Sequence, residues 1–155
     1  MGNYMKLELA ALSENEGFAR SAVAAFALSL NPSLTELSDI KTAVSEAVTN
    51  CVVHAYKGEQ NKILIECQTE RYDDGGVLHI TITDFGCGIE DVDKAVAPFF
   101  TTLSDGERSG MGFTIMQTFM SEFSVTSERG KGTRVYMSKK IGVTENAEIK
   151  ERVDA

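Results

Sequence analysis

The sequence predicts an α/β two-layer sandwich, an α+β arrangement with helices on one face of a mostly antiparallel sheet. Three observations carry this. The elements run strand, two helices, hairpin, loop, helix, two strands, without the regular alternation of a doubly wound fold. Asp73-Asp74-Gly75-Gly76 joins two strand-like runs by a hairpin signal, which makes those strands antiparallel. An apolar stripe with a period near 3.6 runs from Leu37 to Ala55 and marks one long amphipathic helix.

Taken in order, residues 4–11 alternate as a strand does, with Met5, Leu7 and Leu9 on one face. Ser13-Glu14-Asn15-Glu16 reads as a capping box, with Ser13 as the cap and Glu16 reaching back. The helix it opens places Phe18, Ala22, Ala25, Phe26 and Ser29 at helical spacing and ends before Asn31-Pro32. The second helix starts at Ser33 to Thr35. Its stripe is Leu37, Ile40, Ala43/Val44, Ala47/Val48, Cys51/Val52 and Ala55, and Lys57-Gly58 breaks it. Residues 62–70 and 76–84 are the paired strands. Residues 89–109, with Pro98, Gly106 and many polar groups, are long for a plain connection and read as a functional loop. An apolar helix over 111–121 follows. Strands near 123–128 and 132–140, separated by Arg129-Gly130-Lys131-Gly132, close the fold. The expected organisation is one domain over 1–143 and a polar, disordered tail over 144–155.

Composition narrows the function. The 155 residues suffice for a substantial core. A formal net charge of −8 without a Lys/Arg cluster argues against direct nucleic-acid binding. No apolar run is long enough to span a bilayer and no signal peptide opens the chain, so the expectation is a cytoplasmic protein without a membrane partner. Cys51, Cys67 and Cys87 form no CxxC pair and read as reduced thiols, while His54, with His79 pointing along a strand, reads as structural or as a support behind the site rather than a metal ligand.

Three segments and a short fourth carry chemistry. Glu46 and Asn50, four apart on the second helix, project from one face beside the apolar stripe. A carboxylate there can take a proton from an attacking hydroxyl, and an amide oxygen one turn on can hold Mg²⁺. The same pair also fits an ordinary solvated helix face. Asp84-Phe85-Gly86-Cys87-Gly88 ends a strand with a carboxylate that can accept from the adenine amino group, though a turn alone also uses Asp and Gly. Arg108-Ser109-Gly110-Met111-Gly112 opens a helix whose bare amides and dipole favour phosphate, with Arg108 within reach of a terminal phosphate. It is neither a Walker A loop nor a Rossmann fingerprint. Gly132-Thr133 opens the last strand, where Thr133 is placed to bond Asp84 or a water. An acidic chain that binds an anionic nucleotide needs such local compensation. Glu16 and Arg20 share a face of the first helix, as an ion pair or as a partner contact.

On these residues the chain resembles the GHKL nucleotide-binding superfamily, with its Bergerat-type ATP fold. Glu46-Ala47-Val48-Thr49-Asn50, Asp84-Phe85-Gly86-Cys87-Gly88, Gly110-Met111-Gly112 and Gly132-Thr133 are similar to its four boxes, in the expected order. The runs SENEGFAR, SEAVTNCVVHAY and ERSGMGFTIMQTFM resemble the anti-sigma serine kinases of spore-forming bacteria. That resemblance implies a homodimer that inhibits a sporulation sigma factor and uses Mg-ATP, converted to ADP, to phosphorylate a serine of an anti-anti-sigma protein. It implies Glu46 and Arg108 as catalytic. It implies nucleotide contacts from Asn50, Asp84, Gly86, Gly88, Ser109, Gly110, Gly112 and Thr133, and Mg²⁺ at Asn50. An ATP-gated dimeric binding module without kinase activity and a small GHKL ATPase remain alternatives. Sensor histidine kinases usually carry Asn where Glu46 stands, and the clamp ATPases usually carry an acidic residue where Val53 stands.

Overall fold

The computed structural model describes residues 2–57, 59–97 and 111–142. The later part of the predicted loop, with Arg108 and Ser109, then Gly110 of the third motif, and the tail from 144 lie outside them. Five strands make one sheet: β1 (Tyr4–Ala10), β2 (Lys62–Tyr72), β3 (Gly75–Asp84), β4 (Glu122–Glu128) and β5 (Gly132–Ile141). The spatial order is β1-β2-β3-β5-β4, and every neighbouring pair is antiparallel. Among the described residues four α-helices accompany it: α1 (Asn15–Ala27), α2 (Leu34–Asn50), α3 (Val92–Val96) and α4 (Met111–Phe119). The predicted two-layer sandwich is the observed one.

Alternation along the strands separates the two faces. Ile63, Ile65 and Cys67 of β2, Leu78, Ile80 and Ile82 of β3, and Val135 and Met137 of β5 are buried in one cluster with α1, α2 and Met116 of α4. The intervening positions, among them Glu66, Gln68, His79, Thr81, Arg134 and Tyr136, form an open and largely polar face. There His79 joins Glu70 at 2.9 Å and the Tyr136 hydroxyl at 2.6 Å.

α2 starts where predicted. Ser33 accepts the Glu36 N–H at 3.1 Å and the Glu36 carboxylate accepts the Ser33 N–H at 2.8 Å, a complete capping box. Its buried residues are Ile40, Ala43, Val44, Ala47 and Val48, as the stripe requires. After Asn50 the helix widens into a π-turn over Cys51–Ala55, and Lys57 ends it at φ 49°.

Two expectations for α1 are corrected. No box forms at Ser13: the first turn is closed by backbone bonds, Asn15 N–H to the Leu12 carbonyl and Glu16 N–H to the Ser13 carbonyl. The amide that the Ser13 side chain would have capped is thus already bonded, and the Glu16 side chain turns to Arg20. The buried stripe is Ala19, Val23, Ala24 and Ala27, rotated from the predicted one, with Phe18 56 % exposed. Small side chains let α1 lie close on α2, a demand that outweighs the hydrophobicity of Phe18.

Candidate nucleotide site

Glu46 and Asn50 sit on the last turns of α2, half-buried, next to Ala47 and Val48 of the core. Across from them stands Gly112, in the first turn of α4. A Cβ at Gly112 would lie 3.3 Å from Glu46 Oε2 and 3.4 Å from both terminal atoms of Asn50. The first and third motifs therefore meet side chain to backbone, with the bare glycine letting α4 close on α2. Gly112→Ala should leave the fold intact or slightly firmer, since Ala is the better helix former by roughly 1 kcal/mol. The same methyl displaces the Glu46 and Asn50 termini by a few tenths of an ångström. Thermal melting with and without Mg-ATP is expected to show an unchanged or raised midpoint and a diminished nucleotide shift. An undiminished shift would remove Gly112 from the site.

Asp84 ends β3 and is only 6 % exposed. Its Oδ1 accepts the Gly86 N–H at 3.0 Å and the Thr133 N–H at 3.2 Å, and the buried Cys51 thiol donates to the carboxylate. Burial pushes the Asp84 pKa above the ordinary aspartate value, and these three donors pull it back in part. The Cys51 thiol is itself pushed up by burial and by the Asp84 charge, so it stays protonated and a donor. Thr133 reaches Asp84 through its backbone. Its hydroxyl instead pairs with Ser127 at 2.9 Å, and the Ser127 hydroxyl also accepts the Ile89 N–H at 2.7 Å.

The segment after Asp84 is laid tightly on the π-turn. Cys87 N–H donates to the Ala55 carbonyl at 3.1 Å, and a Cβ at Gly86 would fall 2.4 Å from that oxygen. Gly88 has φ 75°, and a Cβ there would meet the Glu128 carbonyl at 2.2 Å. Both glycines are thus required for close approach. Cys87 is exposed, with its sulfur 3.6 Å from the His54 carbonyl. Glu16 and Arg20 pair at 3.2 Å on α1, an element that carries none of the nucleotide residues.

Sequence reasoning missed two neighbours of the site. Cys51 was legible as a core thiol, but its bond to Asp84 depends on where β3 ends. Tyr56, buried directly after the π-turn, accepts the Phe85 N–H at 2.7 Å and donates to the Lys62 carbonyl at 2.6 Å. Its only sequence signal was its place immediately beyond the apolar stripe.

The buried carboxylate that ends β3 and the acid–amide pair on α2 both lie in a stretch of the chain that matches a known family. Residues 9–139 match that family, the Histidine kinase-like ATPase domain. The chain is 54% identical over 141 residues to the Anti-sigma F factor of Caldanaerobacter subterraneus subsp. tengcongensis, covering 90% of this chain and 95% of that one. It is 51% identical over 140 residues to that of Thermoanaerobacter pseudethanolicus, covering 90% and 95%. For that of Clostridium perfringens the figure is 49% over 145 residues, covering 91% and 99%. The chain belongs to the anti-sigma F factor family.

Solved structures share the fold at low identity. The RsbU and RsbW domains of Rv1364c from Mycobacterium tuberculosis superpose with a TM-score of 0.58 at 15% identity, over 90% of this chain and 32% of that one. The catalytic domain of the histidine kinase ThkA gives 0.50 at 14%, over 90% and 96%.

Proposed function

We propose that this protein is an ATP-dependent serine kinase and a partner-binding switch: a cytoplasmic homodimer that holds a sporulation sigma factor inactive and phosphorylates a serine of an anti-anti-sigma protein. The observation that carries the kinase reading is the meeting of Glu46, Asn50 and Gly112, which sets a carboxylate beside a metal-competent amide at the start of a helix. The anti-sigma reading rests on the relatives, which are named for it.

In this reading Asp84 accepts from the adenine amino group with the oxygen that Gly86 and Thr133 leave open. Gly86 and Gly88 keep the segment thin enough for the base to approach. Asn50 would hold Mg²⁺ through its carboxamide oxygen, and the ion would supply positive charge that offsets the charge of the phosphates. Ser109, Gly110 and Gly112 offer amides to the phosphate chain, and Arg108 steadies the γ-phosphate. Glu46 takes the proton of the incoming serine as its oxygen attacks the γ-phosphorus, and the bond to the β-phosphate oxygen breaks to release ADP. Glu16 and Arg20 form part of the surface for the sigma factor.

Intact-mass spectrometry of a candidate anti-anti-sigma protein incubated with the chain and Mg-ATP tests this. One added phosphate on the partner is the expected result. ATP bound without transfer would leave a nucleotide-gated binding module, and free phosphate alone would leave an ATPase.

A further inference from the structure

We propose that Tyr56 is a positioning residue for the nucleotide base, fixing the Asp84 segment to the end of the helix that carries Glu46 and Asn50. The proposal rests on the nucleotide reading above and adds a residue to it. Tyr56 is 6 % exposed and follows the π-turn directly. Its hydroxyl acts in both senses: it donates its one proton to the Lys62 carbonyl at the start of β2 and accepts the N–H of Phe85, the residue after Asp84. Burial raises the phenol pKa, so the donor is retained at neutral pH and well above it.

The consequence is mechanical. The metal-and-base end of the site hangs on α2, and the adenine end hangs on β3. Between them the π-turn is joined to the Asp84 segment by the Cys87–Ala55 backbone bond, the Cys51 thiol and the Tyr56 hydroxyl. Only the Tyr56 bond holds the backbone amide adjacent to Asp84. Without it, the peptide between Asp84 and Phe85 has an unpartnered N–H next to a carboxylate whose direction decides base recognition.

The test is Tyr56→Phe, which keeps the ring and removes both hydrogen bonds. Calorimetric titration would compare ATP with ITP, which carries a 6-oxo group in place of the 6-amino group, alongside nucleotide-free melting. The wild type is expected to prefer ATP. In the variant, ATP affinity should fall about tenfold while ITP affinity barely moves, so the ratio collapses. A folded variant with the wild-type ATP/ITP ratio, whatever its melting temperature, overturns the proposal. Equal binding of ATP and ITP by the wild type overturns both this proposal and the adenine role of Asp84. No binding of either by the wild type overturns the nucleotide reading itself.

Should the variant not fold, amide exchange on the wild type decides. The Phe85 N–H is expected to gain more protection from ATP than from ITP. Equal gains would reduce Tyr56 to a structural residue.

Discussion

Glu46→Gln is expected to bind Mg-ATP as the wild type does and to transfer phosphate at least about a hundredfold more slowly, the range in which a removed general base is felt. The substitution keeps the shape of the side chain. Its terminus still faces Gly112, where a Cβ would come within 3.3 Å of Oε2, so α4 has no reason to move. What is lost is the ability to take the serine proton as the phosphorus–oxygen bond forms. Because phosphoryl transfer is mostly positioning and charge stabilisation, the residual rate should be measurable rather than zero. Single-turnover transfer to the partner, followed by intact mass beside a nucleotide titration, reads both quantities. Wild-type transfer by the Gln variant would remove the base from the mechanism. Loss of ATP binding would recast Glu46 as a ligand-binding residue.

Asp84→Asn should do the reverse. ATP affinity is expected to fall by about two orders of magnitude or more, because the amide turns a donor toward the adenine amino group. Two backbone N–H groups, of Gly86 and Thr133, fix which atom points outward: the Asn oxygen stays on them and its NH₂ faces the base. Stability should hold or rise. Burial lifts the Asp84 pKa above the 3.8 of a free aspartate, so the folded chain binds that proton more tightly than the unfolded chain does. The stability this supplies is present below 3.8 and is lost as pH rises through the folded value. At neutral pH the ionised carboxylate is therefore a cost that Asn removes. ATP binding runs the other way. It needs the ionised form and should weaken as pH falls through a midpoint above 3.8. Melting curves and nucleotide titrations of both proteins across pH 4 to 8 check the two signs together. An Asn variant that keeps wild-type ATP affinity would separate Asp84 from the base.

Much of this was legible because periodicity and turn chemistry act locally. The α2 stripe from Leu37 to Cys51, the Asp73–Gly75 hairpin and the Asn31 stop all follow from rules that need only neighbours in sequence. The rotated face of α1 did not. Phe18 is more hydrophobic than Ala19, but the distance between α1 and α2 selects the smaller residue, and that distance belongs to the tertiary structure. The capping box at Ser13 failed similarly, since a tight backbone turn had already bonded the Glu16 amide. At the site, the motif residues could be named from spacing, and Gly112 was assigned to phosphate for its bare amide. Its contact with Glu46 and Asn50 adds a second reason that only the approach of α4 to α2 exposes. Tyr56 and Cys51 act on a strand that pairs and ends far along the chain from them, and no local pattern encodes that meeting.

The sheet order also bears on how the chain leaves the ribosome. Among the described residues β1 pairs with β2 alone, with Tyr4 opposite Gln68, and the apolar face of α2 finds its bed on β2, β3 and β5. All of these are made after it. Ile40, Val44 and Val48 emerge long before Val135 and Met137, which at roughly 5–20 residues per second is an interval on the order of ten seconds. Until β2 and β3 have emerged the nascent chain carries an oily helix with no sheet to lie on, and β5 completes that bed only at the end of the interval. The β2–β3 hairpin, closed by its own short turn, is the first platform available to receive it.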